Sequence, residues 1–138
     1  MIFEEAAVLS RSFNEAVAEV KAAFASVGFG TLTEIDMQAT LKAKIDKDID
    51  PYVIIGACNP KLASRALEID PQIGALLPCN VVVRQFGDYV MVEAMDPGLM
   101  ASITGNDDIA PIAAEARELV GQALSHLMAP PELQSGAT

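Results

Sequence analysis

Three runs in the middle of the chain, Tyr52 to Ala57, Leu77 to Gln85 and Tyr89 to Met95, read as β-strands that are apolar on both faces. Successive residues of a strand point to opposite sides of its sheet, so a sheet covered on one side alternates apolar with polar positions. Here Tyr52, Ile54, Gly56 and Cys58 stand opposite Val53, Ile55 and Ala57. Leu77, Cys79, Val81 and Val83 oppose Pro78, Asn80, Val82 and Arg84, and Met91, Glu93 and Met95 oppose Val90, Val92 and Ala94. Each large aliphatic side chain left in water forfeits about 1.5 to 3 kcal/mol. The second face therefore needs a cover. Three covers are open: a helix of the same chain, a second copy in a symmetric dimer, or an apolar or amphiphilic ligand in a pocket.

The remaining elements follow from caps and breakers. Residues 6–10 are apolar enough for a first strand, and Ser12 with Glu15 forms a capping box. Phe13, Val17, Val20, Phe24 and Val27 recur at helical spacing until Gly28, which suits a left-handed helix end. Phe29 to Met37 alternates as a second strand with one better-buried face. Asp36 then caps a helix from about Met37 to Ile45, and 46–50 is a charged loop. Asn59 followed by Pro60 starts a helix that runs to about Ile69. The strands on either side of Phe86-Gly87-Asp88 form a hairpin. Asp96-Pro97 repeats the cap-then-proline signature for a short helix through about Ile103, and a last helix spans about Ile109 to Met128. The order β-α-β-α-β-α-β-β-α-α describes one α+β domain over residues 1–129, in two layers, helices on a mostly antiparallel sheet. Residues 130–138 are expected to form a flexible tail after Pro130-Pro131.

Composition excludes several partners. The chain has 138 residues, 51% of them hydrophobic, and a formal charge of -10, which repels nucleic acid and anionic lipid alike. The N-terminal residues carry Glu4 and Glu5 where a signal peptide wants basic ones, and no apolar run approaches the length of a membrane span. A cytoplasmic protein is expected, with no nucleic acid and no membrane as partners. Cys58 and Cys79 are too few for a disulfide framework and stay as thiols in a reducing compartment.

Two Cys-Asn pairs carry the most suggestive chemistry: Cys58-Asn59 and Cys79-Asn80. Cys58 precedes a helix N-terminus, where free amides stabilise a thiolate, whereas the plain reading makes both cysteines small core residues and Asn59 a cap. Zinc is poorly served, because two thiolates 21 positions apart lack a CxxC or a nearby His, and His126 is far along the chain. Glu34 and Asp36 share one strand face; with Glu93 and Asp96 they could supply acid and base, or hard-metal oxygens, if the second and fifth strands lie close, whereas the plain reading makes Asp36 and Asp96 helix caps and Glu34 and Glu93 solvent-facing. No glycine-rich phosphate loop is present, since Gly28-Phe-Gly30 opens a strand. The residues call for no cofactor and no metal.

The segments Gly28 to Asp36 with Gln38 to Lys42, then Pro51 to Pro60, then Leu76 to Val83, resemble the domain-of-unknown-function family 302 over roughly Val8 to Leu127. That resemblance implies a small α+β domain with a TATA-binding-protein-like arrangement, dimeric, in mostly bacterial and archaeal cytosolic proteins. It implies no reaction. Both Cys-Asn pairs and the Thr33-Glu-Ile-Asp36 segment fall within the matching motifs. The functional expectation is a homodimeric binding or regulatory protein for a small ligand, without catalysis of its own. The alternative is a thiol-dependent redox, metal-handling or enzymatic protein that uses Cys58 and Cys79.

Overall fold

The computed structural model describes residues 2–128, so the tail expected over 130–138 lies outside the described residues. The elements are β1 (Ala7–Leu9), α1 (Phe13–Ser26), β2 (Gly30–Asp36), α2 (Met37–Ile45), β3 (Tyr52–Cys58), α3 (Pro60–Ile69), a 3-10 turn (Pro71–Leu76), β4 (Cys79–Phe86), β5 (Tyr89–Ala94), α4 (Leu99–Thr104) and α5 (Ala110–Met128). Their order is the expected one, with a 3-10 turn added between α3 and β4.

Local chemistry fixes most boundaries. The Ser12 hydroxyl accepts from the Glu15 amide at 3.3 Å, Asp36 Oδ1 from Ala39 at 2.9 Å and Asn59 Oδ1 from Leu62 at 3.2 Å. Gly28, at φ +90°, turns the chain out of α1. The hairpin closes at Phe86 and Tyr89, with Gly87 at φ +60° in its two-residue turn. Asp96 departs from expectation. Its carboxylate accepts from the Gly98 amide at 2.8 Å and binds Arg117, so it holds a turn, and α4 begins only after Gly98, which has no side chain to cap it.

The five strands form one antiparallel sheet in the order β1-β5-β4-β3-β2. Val53, Ile55, Val81, Val83, Val90 and Val92 face α1 and α5, where Val20, Phe24, Val120 and Leu124 complete a continuous core. β2 corrects the sequence reading. Among the described residues it pairs only with β3, and every residue from Gly30 to Asp36 is exposed, so the better-buried face expected from its alternation is absent. Alternation reports which residues share a face, whereas burial depends on what lies over that face, and an edge position leaves little over it. α2 buries none of its residues and meets mainly β2 and β3.

Gly121 lies within α5, and a Cβ there would stand 3.4 Å from the Phe3 ring, an ordinary contact. Replacing a mid-helix glycine by alanine gains about 0.5 to 1 kcal/mol. Gly121→Ala should therefore raise the urea midpoint without changing its slope, and a lowered midpoint would mean that Phe3, stacked under Arg117 at 4.9 Å, cannot yield.

Candidate functional site

At the end of the sheet where β3 finishes and β4 begins, a cavity of about 30 Å³ lies among the sheet, α3, the 3-10 turn, α4 and α5. Cys58, Cys79, Met95 and Met100 line it, with Asn59 and Leu62 among the rest. The register pairs Ala57 with Cys79, which brings the two Cys-Asn segments to the same end of adjacent strands. Cys58 is half-buried and Cys79 buried, and both are free thiols.

The Cys79 thiol donates to the Met95 carbonyl at 3.7 Å. Burial, aided by the negative charge of Asp96, pushes its pKa up to about 12. Cys79 is thus a protonated, poorly nucleophilic thiol at neutral pH, contrary to what a redox or nucleophilic role requires of it. The raised value also makes folding pH-dependent. Above the ordinary thiol value of 9.0 the unfolded chain loses the thiol proton while the folded one keeps it, so stability falls between about pH 9 and 12. The slope contributed is at most about 1.4 kcal/mol per pH unit. Cys79→Ala should remove that component of the alkaline denaturation curve, and an unchanged curve would show that the thiol ionises freely in the fold.

Asn59 caps α3, and its side-chain amide lies 3.0 Å from where a Gly28 side chain would begin, so the α1 exit passes close to the α3 entry. Asn80 is exposed, pairs with Gly56 in register, and its carbonyl accepts from the Met95 amide at 3.0 Å. Glu34 and Asp36 do share a face, opposite Ile55 and Val53, and both line a groove of about 510 Å³ with Asn14 and Tyr52. Glu34 pairs with Lys21, and Asp36 is the α2 cap. These carboxylates are not beside the thiols. Val53, opposite Asp36, is five strand residues from Cys58, about 17 Å, and Ile55, opposite Glu34, is three, about 10 Å. Nor do β2 and β5 lie close, because β3 and β4 separate them. The combined acid-base set of Glu34, Asp36, Glu93 and Asp96 is therefore not assembled.

The face of the sheet turned away from α1 and α5 carries Ile35, Tyr52, Ile54, Val82, Met91 and Val8. Val8 is 53% exposed and Ile35 44%, and the four between them are half-buried. Two charges stand among these apolar side chains, and they are joined: Arg84 Nε meets Glu93 Oε1 at 2.6 Å. Arg84 also reaches Met91 Sδ at 3.1 Å and lies over the Phe86 ring at 5.5 Å. The bond to Glu93 raises the guanidinium pKa above its usual value. The face is thus apolar and internally neutralised.

The family model described as Domain of unknown function DUF302 matches residues 6–127. The chain belongs to the DUF302 family. Among solved structures it is similar to an uncharacterised conserved DUF302 protein from Bacillus stearothermophilus, with a TM-score of 0.79 at 24% identity. That alignment covers 88% of this chain and 97% of the other, and it shows a shared α+β fold. No curated protein matches. Among the described residues of this DUF302 domain, no helix is long and apolar enough to cross a membrane.

The Arg84–Glu93 pair is not among the sequence expectations. The hairpin held the signal: with Phe86 opposite Tyr89, the register places Val82 across from Glu93 and Arg84 one same-face step away. The proximity of Met95 and Met100 to the cysteines had no comparable signal, since it depends on where α4 returns to the sheet.

Proposed function

We propose that this DUF302 domain is a homodimeric binding or regulatory protein, without a reaction of its own, in which a second copy covers the open sheet face. The observation that carries this reading is the apolar face around Arg84 and Glu93. A self-complementary patch suits a two-fold contact, and a pair already neutralised within one chain enters an interface without an unpartnered charge. The chain's excess of ten negative charges opposes association elsewhere on the surface, which leaves this face as the favoured contact. A cavity of about 30 Å³ is too small for a drug-sized molecule, so a small apolar or amphiphilic ligand fits better between the two faces. The cytoplasm, where the thiols stay reduced, is the compartment that suits it.

Sedimentation equilibrium at micromolar concentration should give twice the 14.6 kDa chain mass. A single-chain mass would end the dimer reading. Native mass spectrometry of untreated protein should then show whether the dimer carries an added small mass.

A further inference from the structure

Two elements that follow one another in the chain, β2 and α2, bury no residue, whereas every other described helix and strand buries at least one. Met37, Leu41 and Ile45 of α2 recur every fourth residue and so form one apolar stripe, at whose end Ile45 is 65% exposed. Isolated helices shorter than about 12 to 15 residues are marginal in water and depend on packing of an apolar face. α2 has nine residues, and its own chain covers that stripe with little. The Asp36 carboxylate caps its start, and Asp46, at φ +53°, ends it. Caps fix the limits of a helix without covering its side.

We propose that α2 is the element with which each copy covers the open sheet face of the other, its stripe of Met37, Leu41 and Ile45 lying across the face that carries Ile54, Val82 and Met91. This rests on the dimer reading and names the part of the second copy that does the covering. Each chain holds two apolar surfaces without a cover, a helix stripe and a sheet face, and helix on sheet is how two-layer domains bury such surfaces. One two-fold contact satisfies both, since each copy gives a helix and receives one. Stacking the flat faces directly would leave the stripes in water. Dimensions agree. Nine residues make a helix about 13 Å long, and the adjacent strands β3, β4 and β5 lie about 4.8 Å apart, so they span about 10 Å. Area points the same way. The six apolar side chains of the face, with Arg84 and Glu93, are fewer than the about 20 to 30 residues a stable contact engages on each side. The shortfall calls for surface continuous with the face, and β2 and α2 adjoin it through Ile35. Charge permits the approach as well: residues 37–50 hold three lysines and three aspartates, a neutral arm on a chain of charge -10.

The test combines sedimentation equilibrium with isotope-filtered nuclear Overhauser spectra of a dimer mixed from labelled and unlabelled chains. Methyl contacts of Leu41 and Ile45 with Ile54, Val82 and Met91 should appear between the two kinds of chain. Ile45→Asp should raise the dimer dissociation constant on the order of 10-fold. Leu41→Ala combined with Ile45→Ala should do the same, and because alanine favours the helix, that variant strips the stripe without unwinding α2. Ile103→Asp, at an exposed position of α4, should change nothing. Circular dichroism of each variant separates a lost contact from a lost fold. A wild type of single-chain mass ends the dimer reading and this proposal together. A wild-type dimer without methyl contacts between copies overturns the proposal alone and leaves the dimer reading standing. So does a dimer that the α2 variants leave as tight as before, or one that Ile103→Asp weakens equally.

Discussion

Val82→Asp should hold the chain as a single 14.6 kDa species while its far-ultraviolet circular dichroism stays native. Val82 sits on a central strand of the open face, paired in register with Ile54 on one side and Glu93 on the other. In a free chain it is half-buried, so an aspartate there keeps water and costs the fold about 1 kcal/mol of strand preference. In a two-fold contact the same carboxylate would be buried beside Glu93 in each copy, with Arg84 already engaged. Uncompensated buried charge of that kind costs about 3 to 5 kcal/mol, and two copies carry it twice. The neighbouring Val83→Asp is the control. Val83 is fully buried against the helices, so that variant should lose its fold outright. A Val82→Asp protein that remains dimeric would place the contact on some other surface.

Gly56→Ala should lower stability by about 3 kcal/mol, near the upper end of what added volume costs a well-packed site. A Cβ at this position would fall inside the Thr33 hydroxyl and 2.8 Å from Pro78 Cγ. Gly56 is buried in the middle of β3 although it has no side chain, because Thr33 of β2 and Pro78 ahead of β4 close over it from both neighbouring strands. Adding Thr33→Ala to Gly56→Ala removes the hydroxyl and should recover part of the loss, while the proline contact keeps the remainder. Urea denaturation of the two variants measures both numbers. A Gly56→Ala chain as stable as the wild type would mean that β2 can move away from β3 at little cost, as an exposed edge strand does.

Much of the fold was legible because it is written locally. Ser12, Asp36 and Asn59 each cap the helix that follows them, and Phe86 to Asp88 closes a hairpin at the position its turn residues indicate. Asp96 carried the same signature as Asn59 and behaved differently, because Arg117 of α5 competes for its carboxylate. The exposure of β2 was illegible for a related reason: strand order is a property of the whole sheet, and the chain gives no local sign that β2 lies at its edge. At the site, the cysteines stood out in the sequence, and the register brings their segments together. Glu34 and Asp36 stood out equally, and the same register sets them against Ile55 and Val53, at the middle and toward the start of β3.

The slip in pairing between Thr31 and Thr33 has a consequence for growth beyond the sheet. A border strand with all its residues in water offers a template on which foreign strands can add, the first step toward fibrils. Here Leu32 is thrown out of line by that slip, and Asp36 lends the border a negative charge that a second copy would meet with its own. The molecule thereby discourages endless lateral stacking through its rim while leaving its flat side available for a finite assembly.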